Sequence, residues 1–155
     1  MTANQALLSQ AVCIHCGSAN RIAAGHDPAA AKCGKCGKSL SLDHPAEVDD
    51  DALDKHLKRT KGLVLLDVWA PWCGPCRAMA PEFESAADQL AGVARLLKVN
   101  ADQSEAIRQY RVSGIPALLL FRDGRLIDRQ AGLMRSDALV QWVRSHLAPA
   151  GASSI

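Results

Sequence analysis

The chain has 155 residues, 48% of them hydrophobic and 22% charged, values that fit one ordinary soluble domain with a real core plus a small accessory module. Its 18 basic and 16 acidic residues leave a formal charge of +2, too small to point to a nucleic-acid or membrane partner. Apolar runs such as Ile115 to Phe121 fall well short of the ~18 residues that span a bilayer.

From the N-terminus, Met1 to Val12 lacks a basic start followed by a dense apolar stretch, so no secretory signal is expected and the cytoplasm is the expected compartment. Residues 1–42 then carry two cysteine knuckles, Cys13-Ile14-His15-Cys16-Gly17 and Cys33-Gly34-Lys35-Cys36-Gly37. Few large apolar residues lie between them, so this piece needs a staple in place of a core. A C-x-x-C pair, sixteen residues and a second C-x-x-C pair match the spacing of a four-cysteine zinc site. Such a site would be tetrahedral, closed and structural, held by Cys13, Cys16, Cys33 and Cys36. Two disulfides, or a redox pair at Cys33/Cys36, are the alternatives. His15 and His26 are candidate substitute ligands, but four thiolates already complete the shell. Arg21, Lys32, Lys35 and Lys38 make the module basic, yet no interleaved aromatics support base stacking, so solvated lysines are the reading.

Residues 43–51, with Pro45 and the acids Glu47, Asp49, Asp50 and Asp51, read as a linker running into a helix start. A second domain over residues 48–148 then alternates helices and strands. Ala52, Leu53, His56 and Leu57 have helical spacing, and Leu63 to Ala70 is an apolar strand interrupted by Asp67. A helix is expected from the Cys73 loop to about Leu90, kinked at Pro81. Leu96 to Asn100 reads as a buried strand and Ser104 to Tyr110 as a short helix. Ala117 to Phe121 and Leu126 to Gln130 flank Asp123-Gly124, a hairpin signal. Ser136 is expected to cap a last helix through Leu139, Val140, Val143 and Leu147. Residues 149–155 read as a flexible tail. The order β-α-β-α-β-β-α after an initial helix implies an α/β fold with a central mixed sheet flanked by helices.

The third pair, Cys73 and Cys76, has no neighbouring C-x-x-C or His pair to complete a metal shell, and Gly74-Pro75 between a preceding Trp72 and Cys76 favours redox chemistry over a metal knuckle or an inert disulfide. The run from Asp67 to Arg77, Asp67-Val68-Trp69-Ala70-Pro71-Trp72-Cys73-Gly74-Pro75-Cys76-Arg77, resembles the active-site region of thioredoxins. Gly114-Ile115-Pro116 resembles their substrate-side proline loop, and Ala131-Gly132 the glycine near it. With the two upstream knuckles, the chain is similar to the zinc-containing bacterial subfamily called thioredoxin 2. Val68 departs from the Phe that many thioredoxins carry, but it remains an apolar strand residue.

That resemblance implies a thioredoxin fold with a small N-terminal zinc-ribbon-like module. It also implies a protein-disulfide reductase with Cys73 as nucleophile, Cys76 as resolving thiol and Asp67 as proton acceptor. From the residues alone, Asp67 reads equally as a buried base or as a partly exposed strand position paired with a lysine such as Lys98. Pro116 is implied to be cis, where the bland reading is a strand-edge proline. Trp72, Gly74, Pro75, Ile115, Pro116 and Gly132 are the implied substrate surface; Trp69 serves either core packing or substrate contact. The expected partners are disulfide-containing proteins and an NADPH-dependent thioredoxin reductase, with one Zn2+ (structural or redox-sensing), no bound organic cofactor and a monomeric state. An oxidase or isomerase on the same fold, and a chaperone-like binding protein, are the competing functions. Gly74-Pro75 argues for the reductant, because family oxidants usually carry a His beside the second cysteine.

Overall fold

A computed structural model describes residues 8–147. The N-terminal module is two hairpins. Strands β1 (Gln10–Val12) and β2 (Ala19–Arg21) pair antiparallel, with Val12 opposite Ala19, so the first knuckle is the turn between them. A bridge between Lys32 and Ser39 closes the second knuckle in the same way. Among the described residues, the module's own buried cluster is Leu8, Ala11, Cys13, Ile22, Cys33 and Leu40, little apolar surface for a piece of this length, while Leu42 packs into the core of the main sheet.

The main sheet has five strands in the order β3-β5-β4-β6-β7: β3 (Ala46–Glu47), β4 (Leu63–Trp69), β5 (Ala94–Asn100), β6 (Ala117–Arg122) and β7 (Arg125–Ala131). The first three are parallel; β6 pairs antiparallel with β4, and β7 antiparallel with β6. Strand β4 is central and covered on both faces, the physical reason for its unbroken apolar run. Its odd-numbered residues Leu63 and Leu65 meet Met79 and Phe83 of α2 (Gly74–Gln89) and Leu139 and Val143 of α4 (Ser136–Arg144). Its even-numbered residues Val64, Leu66 and Val68 meet Leu53 and Leu57 of α1 (Asp50–Arg59) and Ala106 of α3 (Ala106–Gln109). Asp67 therefore points to the α2 face.

Two expectations need correction. The segment expected as a linker contributes β3, because Ala46 and Glu47 pair in parallel with Leu97 and Lys98 and so extend the sheet by one edge strand. Its helix-start half holds: Asp49 caps α1 by accepting from the Ala52 N–H at 2.8 Å, with Asp50 and Asp51 in the positive first turn. Ser136 does not cap α4. Arg135 occupies the cap position, and the Ser136 N–H instead donates to the Glu82 carboxylate at 2.7 Å, so α2 supplies the acceptor that the sequence suggested would be local. Helix α2 continues through Pro81, whose missing N–H removes one bond from the helical ladder. The expected tail at 149–155 lies outside the described residues.

Candidate active site and candidate metal centre

Strand β4 ends at Trp69, and the chain turns through Ala70 and Pro71 into α2. Cys73 sits at the N-cap of that helix and its sulfur accepts from the Cys76 N–H at 3.2 Å. Pro75 lies in the first turn, where an N–H would have no helical partner. The Cα atoms of Cys73 and Cys76 are 5.2 Å apart and the two form a disulfide. Both are nearly buried, at 5% and 3% exposure, whereas Trp72 beside them is 66% exposed. Unpaired helix N–H groups and the helix dipole favour a thiolate on Cys73 once the pair is reduced.

The surface around this pair contains most of the expected substrate residues. Ile115–Pro116 is a cis peptide, and the Ile115 carbonyl oxygen is 3.8 Å from the Cys73 sulfur. Gly132 has φ +89°, a conformation that favours glycine, and donates its N–H to the Pro116 carbonyl at 2.9 Å. A Cβ built on Gly74 or Gly132 would touch nothing, so both leave open backbone beside the sulfurs. The Trp72 indole N–H is shared by both Asp102 carboxylate oxygens at 3.0 Å. Sequence reasoning missed Asp102, since nothing in its local pattern marks the loop after β5 as a neighbour of Trp72.

Asp67 is 1% exposed, and its Oδ1 has no hydrogen-bond partner among the described residues. Burial pushes its pKa up to about 7; the Lys98 ammonium opposes that shift and the Glu47 carboxylate adds to it. Of the two readings open at the sequence level, the exposed position is excluded, although Lys98 does lie opposite Asp67 in the β4–β5 register. Trp69 packs against Ala70, Cys73 and Cys76 while its indole N–H donates to Glu47 at 3.2 Å. Lys98 lies over the same ring, its Nζ 4.6 Å from the centroid. In the sequence Glu47 is one of several linker acids. Only strand pairing, which no local pattern announces, brings it here.

In the N-terminal module the four sulfurs of Cys13, Cys16, Cys33 and Cys36 all lie within 4.8 Å of one another. Cys13–Cys36 and Cys16–Cys33 are each separated by 3.6 Å, close to the ~3.8 Å edge of a tetrahedron with Zn–S bonds of about 2.3 Å. The knuckles repeat one backbone design. The N–H of Cys13 bonds the Ser18 carbonyl and that of Cys33 bonds the Lys38 carbonyl, while Gly17 and Gly37 each turn at φ +80°. Backbone N–H groups of Cys36 and Lys35 and the Asn20 amide point at the Cys33 sulfur, and they pull that thiol well below its ordinary pKa. This donor set fits a thiophilic divalent ion, and neither His15 nor His26 belongs to it.

The module is fastened at the end of the sheet away from Cys73. Lys61, just before β4, exchanges backbone bonds with Ser9 and Gln10 at 3.0 and 2.9 Å. Arg95, the second residue of β5 and 1% exposed, donates its guanidinium to the carbonyls of Leu40 and Val12. Sequence analysis had no signal for Arg95 beyond an arginine inside an apolar strand. Strand β4, seven residues rising about 3.3 Å each, runs from this attachment to the Cys73 end of the sheet.

A disulfide closed across a helix N-cap, beside a cis-proline, on a mixed sheet with helices on both faces defines a dithiol redox protein. A thioredoxin family model matches residues 44–145. Thioredoxin 1 of Nostoc sp. (strain PCC 7120) is 36% identical over 103 residues, covering 66% of this chain and 96% of that protein. The thioredoxin of Chlamydia trachomatis is 44% identical over 86 residues, 55% of this chain and 83% of that one. Among solved structures, a mutant thioredoxin from Halobacterium salinarum NRC-1 superposes with a TM-score of 0.63 at 34% identity, covering 70% of this chain and 96% of that one. The chain belongs to the thioredoxin family and is a thiol–disulfide oxidoreductase. The knuckle module precedes the matched residues.

Proposed function

We propose that the chain is a protein-disulfide reductase of the zinc-containing thioredoxin 2 type. The observation that carries this reading is the Cys73–Cys76 pair at the start of α2, facing the Ile115–Pro116 loop. The reduced Cys73 thiolate attacks a substrate disulfide, forming a mixed disulfide and releasing one substrate thiolate. Cys76 then attacks the Cys73 sulfur; the second substrate thiolate leaves and the enzyme disulfide forms. Asp67 takes the proton that Cys76 loses, a role supported by its burial and by a pKa near the working pH. Trp72, Gly74, Pro75, Ile115, Pro116 and Gly132 receive the substrate backbone around the exchanged bond.

An NADPH-dependent thioredoxin reductase returns two electrons to the oxidised pair. The protein works as a cytoplasmic monomer without bound organic cofactor, nucleic acid or membrane. No helix among the described residues is long and apolar enough to cross a bilayer. Cys13, Cys16, Cys33 and Cys36 hold one Zn2+, which ties two hairpins that bury little else; thiolate oxidation would make the same site a redox sensor.

The reading is tested by trapping. Cys76→Ser protein should accumulate a mixed disulfide with a disulfide-bonded substrate on a non-reducing gel, and Cys73→Ser protein should form none. No adduct on Cys76→Ser overturns the assigned roles. The reduction potential fixes direction: a value near about −270 mV marks a reductant, and one between about −120 and −180 mV an oxidase or isomerase.

A further inference from the structure

Glu47, Lys98 and Asp67 stand in one row across three adjacent strands. The register pairs Glu47 of β3 with Lys98 of β5, and Lys98 with Asp67 of β4. The strands are parallel and in register, so the three side chains leave the same face of the sheet, the face on which α2 carries Cys76. The cation is the middle member, with one carboxylate on each side. Across β4 on its other flank, Asp67 meets the apolar Leu118 of β6, and the buried residues of α2, which covers this face, are Cys76, Met79, Phe83, Ala86 and Ala87, none of them a formal charge. Lys98 and Glu47 are thus the charged groups that bear on Asp67.

Trp69 fixes this arrangement. Its indole N–H holds the Glu47 carboxylate at 3.2 Å, its ring face carries the Lys98 ammonium, and its other contacts reach Cys73 and Cys76. We propose that Glu47 is a positioning residue for the redox reaction: anchored on Trp69, its carboxylate shares Lys98 with Asp67 and so sets how readily Asp67 takes up the Cys76 proton. The inference rests on the reading of Asp67 as proton acceptor. In the resolving step the Cys76 S–H proton passes to the Asp67 carboxylate, the Cys76–Cys73 bond forms, and the bond from Cys73 to the substrate sulfur breaks with its electron pair leaving on the substrate. Lys98 alone, one strand spacing from Asp67, favours the ionised carboxylate and makes it a weaker base. A second carboxylate on the far side of the lysine offsets that attraction and strengthens the base. Burial raises the Glu47 pKa, and the Trp69 N–H and the Lys98 ammonium oppose that rise, so the same two groups that hold the carboxylate also favour its charged form.

Glu47→Gln keeps an oxygen for the Trp69 indole and removes only the charge. In reduced full-length protein, carboxyl-carbon NMR should show the Asp67 titration midpoint falling by about half a pH unit, the size expected for a charge two strand spacings away near the surface. The pH midpoint of mixed-disulfide resolution should move down with it, while the rate of initial attack by Cys73 changes little. Asp51→Asn, a like loss of charge on the first turn of α1, should leave both midpoints in place. An unchanged Asp67 midpoint in Glu47→Gln, or an equal movement in Asp51→Asn, overturns the proposal. A displaced Asp67 midpoint with an unmoved resolution profile has a different meaning. It removes Asp67 as acceptor, and with it any part of Glu47 in the reaction, while the charge row itself stands.

Discussion

In the pair at 73 and 76, the two residues between the sulfurs belong to the first turn of α2, and the sulfurs bond to each other. In the pairs at 13/16 and 33/36, the chain turns through a hairpin with a left-handed glycine, and each sulfur's 3.6 Å neighbour belongs to the other knuckle. The spacing is identical and the chemistry is not. A helical turn places both thiols of one pair within bonding reach and aims the helix dipole at one of them. A knuckle leaves its sulfurs pointing outward together, where a second knuckle completes a tetrahedron. Backbone conformation and the presence of a second pair, rather than the motif, separate a disulfide-forming couple from a four-sulfur cluster able to hold a metal ion.

The sharpest way to break this comparison is to remove the clamp. Cys33→Ser, or a strong chelator, should unfold the module over residues 8–42, because structural zinc binding supplies on the order of 10 kcal/mol or more and the buried apolar set there is small. Zinc content by metal analysis and backbone amide spectra would report it, with the Cys73–Cys76 couple still reducible. Retention of module structure without metal would mean that the packed residues suffice and that the knuckles are not a clamp.

Asp67→Asn probes the redox side. Asp67 has a folded pKa near 7 against about 4 unfolded, so its stabilising protonated form is complete below pH 4 and lost as pH rises through 7. At pH 8 the variant should gain up to about 4 kcal/mol in denaturant unfolding, with the gain vanishing near pH 4. The same change should slow resolution by Cys76 more than attack by Cys73. Equal slowing of both steps would count against proton relay.

His56 gives the opposite slope at the seam between the regions. It is 3% exposed, its Nδ1 is unpaired among the described residues, and burial lowers its pKa to about 4, with Arg95 and Lys55 acting in the same direction. Its neutral form is the stabilising one. That contribution is intact above pH 6.5 and lost as pH falls through 4, about 3 kcal/mol in all. His56→Gln should flatten acid unfolding in that window relative to the parent, measured by thermal melts at matched zinc.

The smallest expected effect belongs to Arg95. Arg95→Met leaves the carbonyls of Val12 and Leu40 without their guanidinium donor and should cost about 2 kcal/mol. Hydrogen exchange should show the loss first in β1 and near Leu40. A loss spread evenly over the main sheet would mean that Arg95 supports the core rather than the attachment of the module.

Much of this molecule is set by its sequence alone. The apolar run Leu63 to Val68 needs cover on both faces, Asp123-Gly124 turns the last hairpin, and Asp49 caps α1 through its own local geometry, all short-range consequences of residue type. Cys73-Gly74-Pro75-Cys76 likewise contains its own helix start. The tertiary structure alone decided what depends on contacts far apart in the chain. Ala46–Glu47 became a strand because β5 offered an open edge, and Ser136 lost its capping role because Glu82 of α2 supplied the acceptor. Trp69 became the plate between Glu47 and Lys98 because register brought them to it, and Arg95 became the bolt between module and sheet because the module docks its Val12 and Leu40 carbonyls there. Local propensity acts over a few residues, whereas strand order, register and buried charge are fixed only when the whole sheet closes.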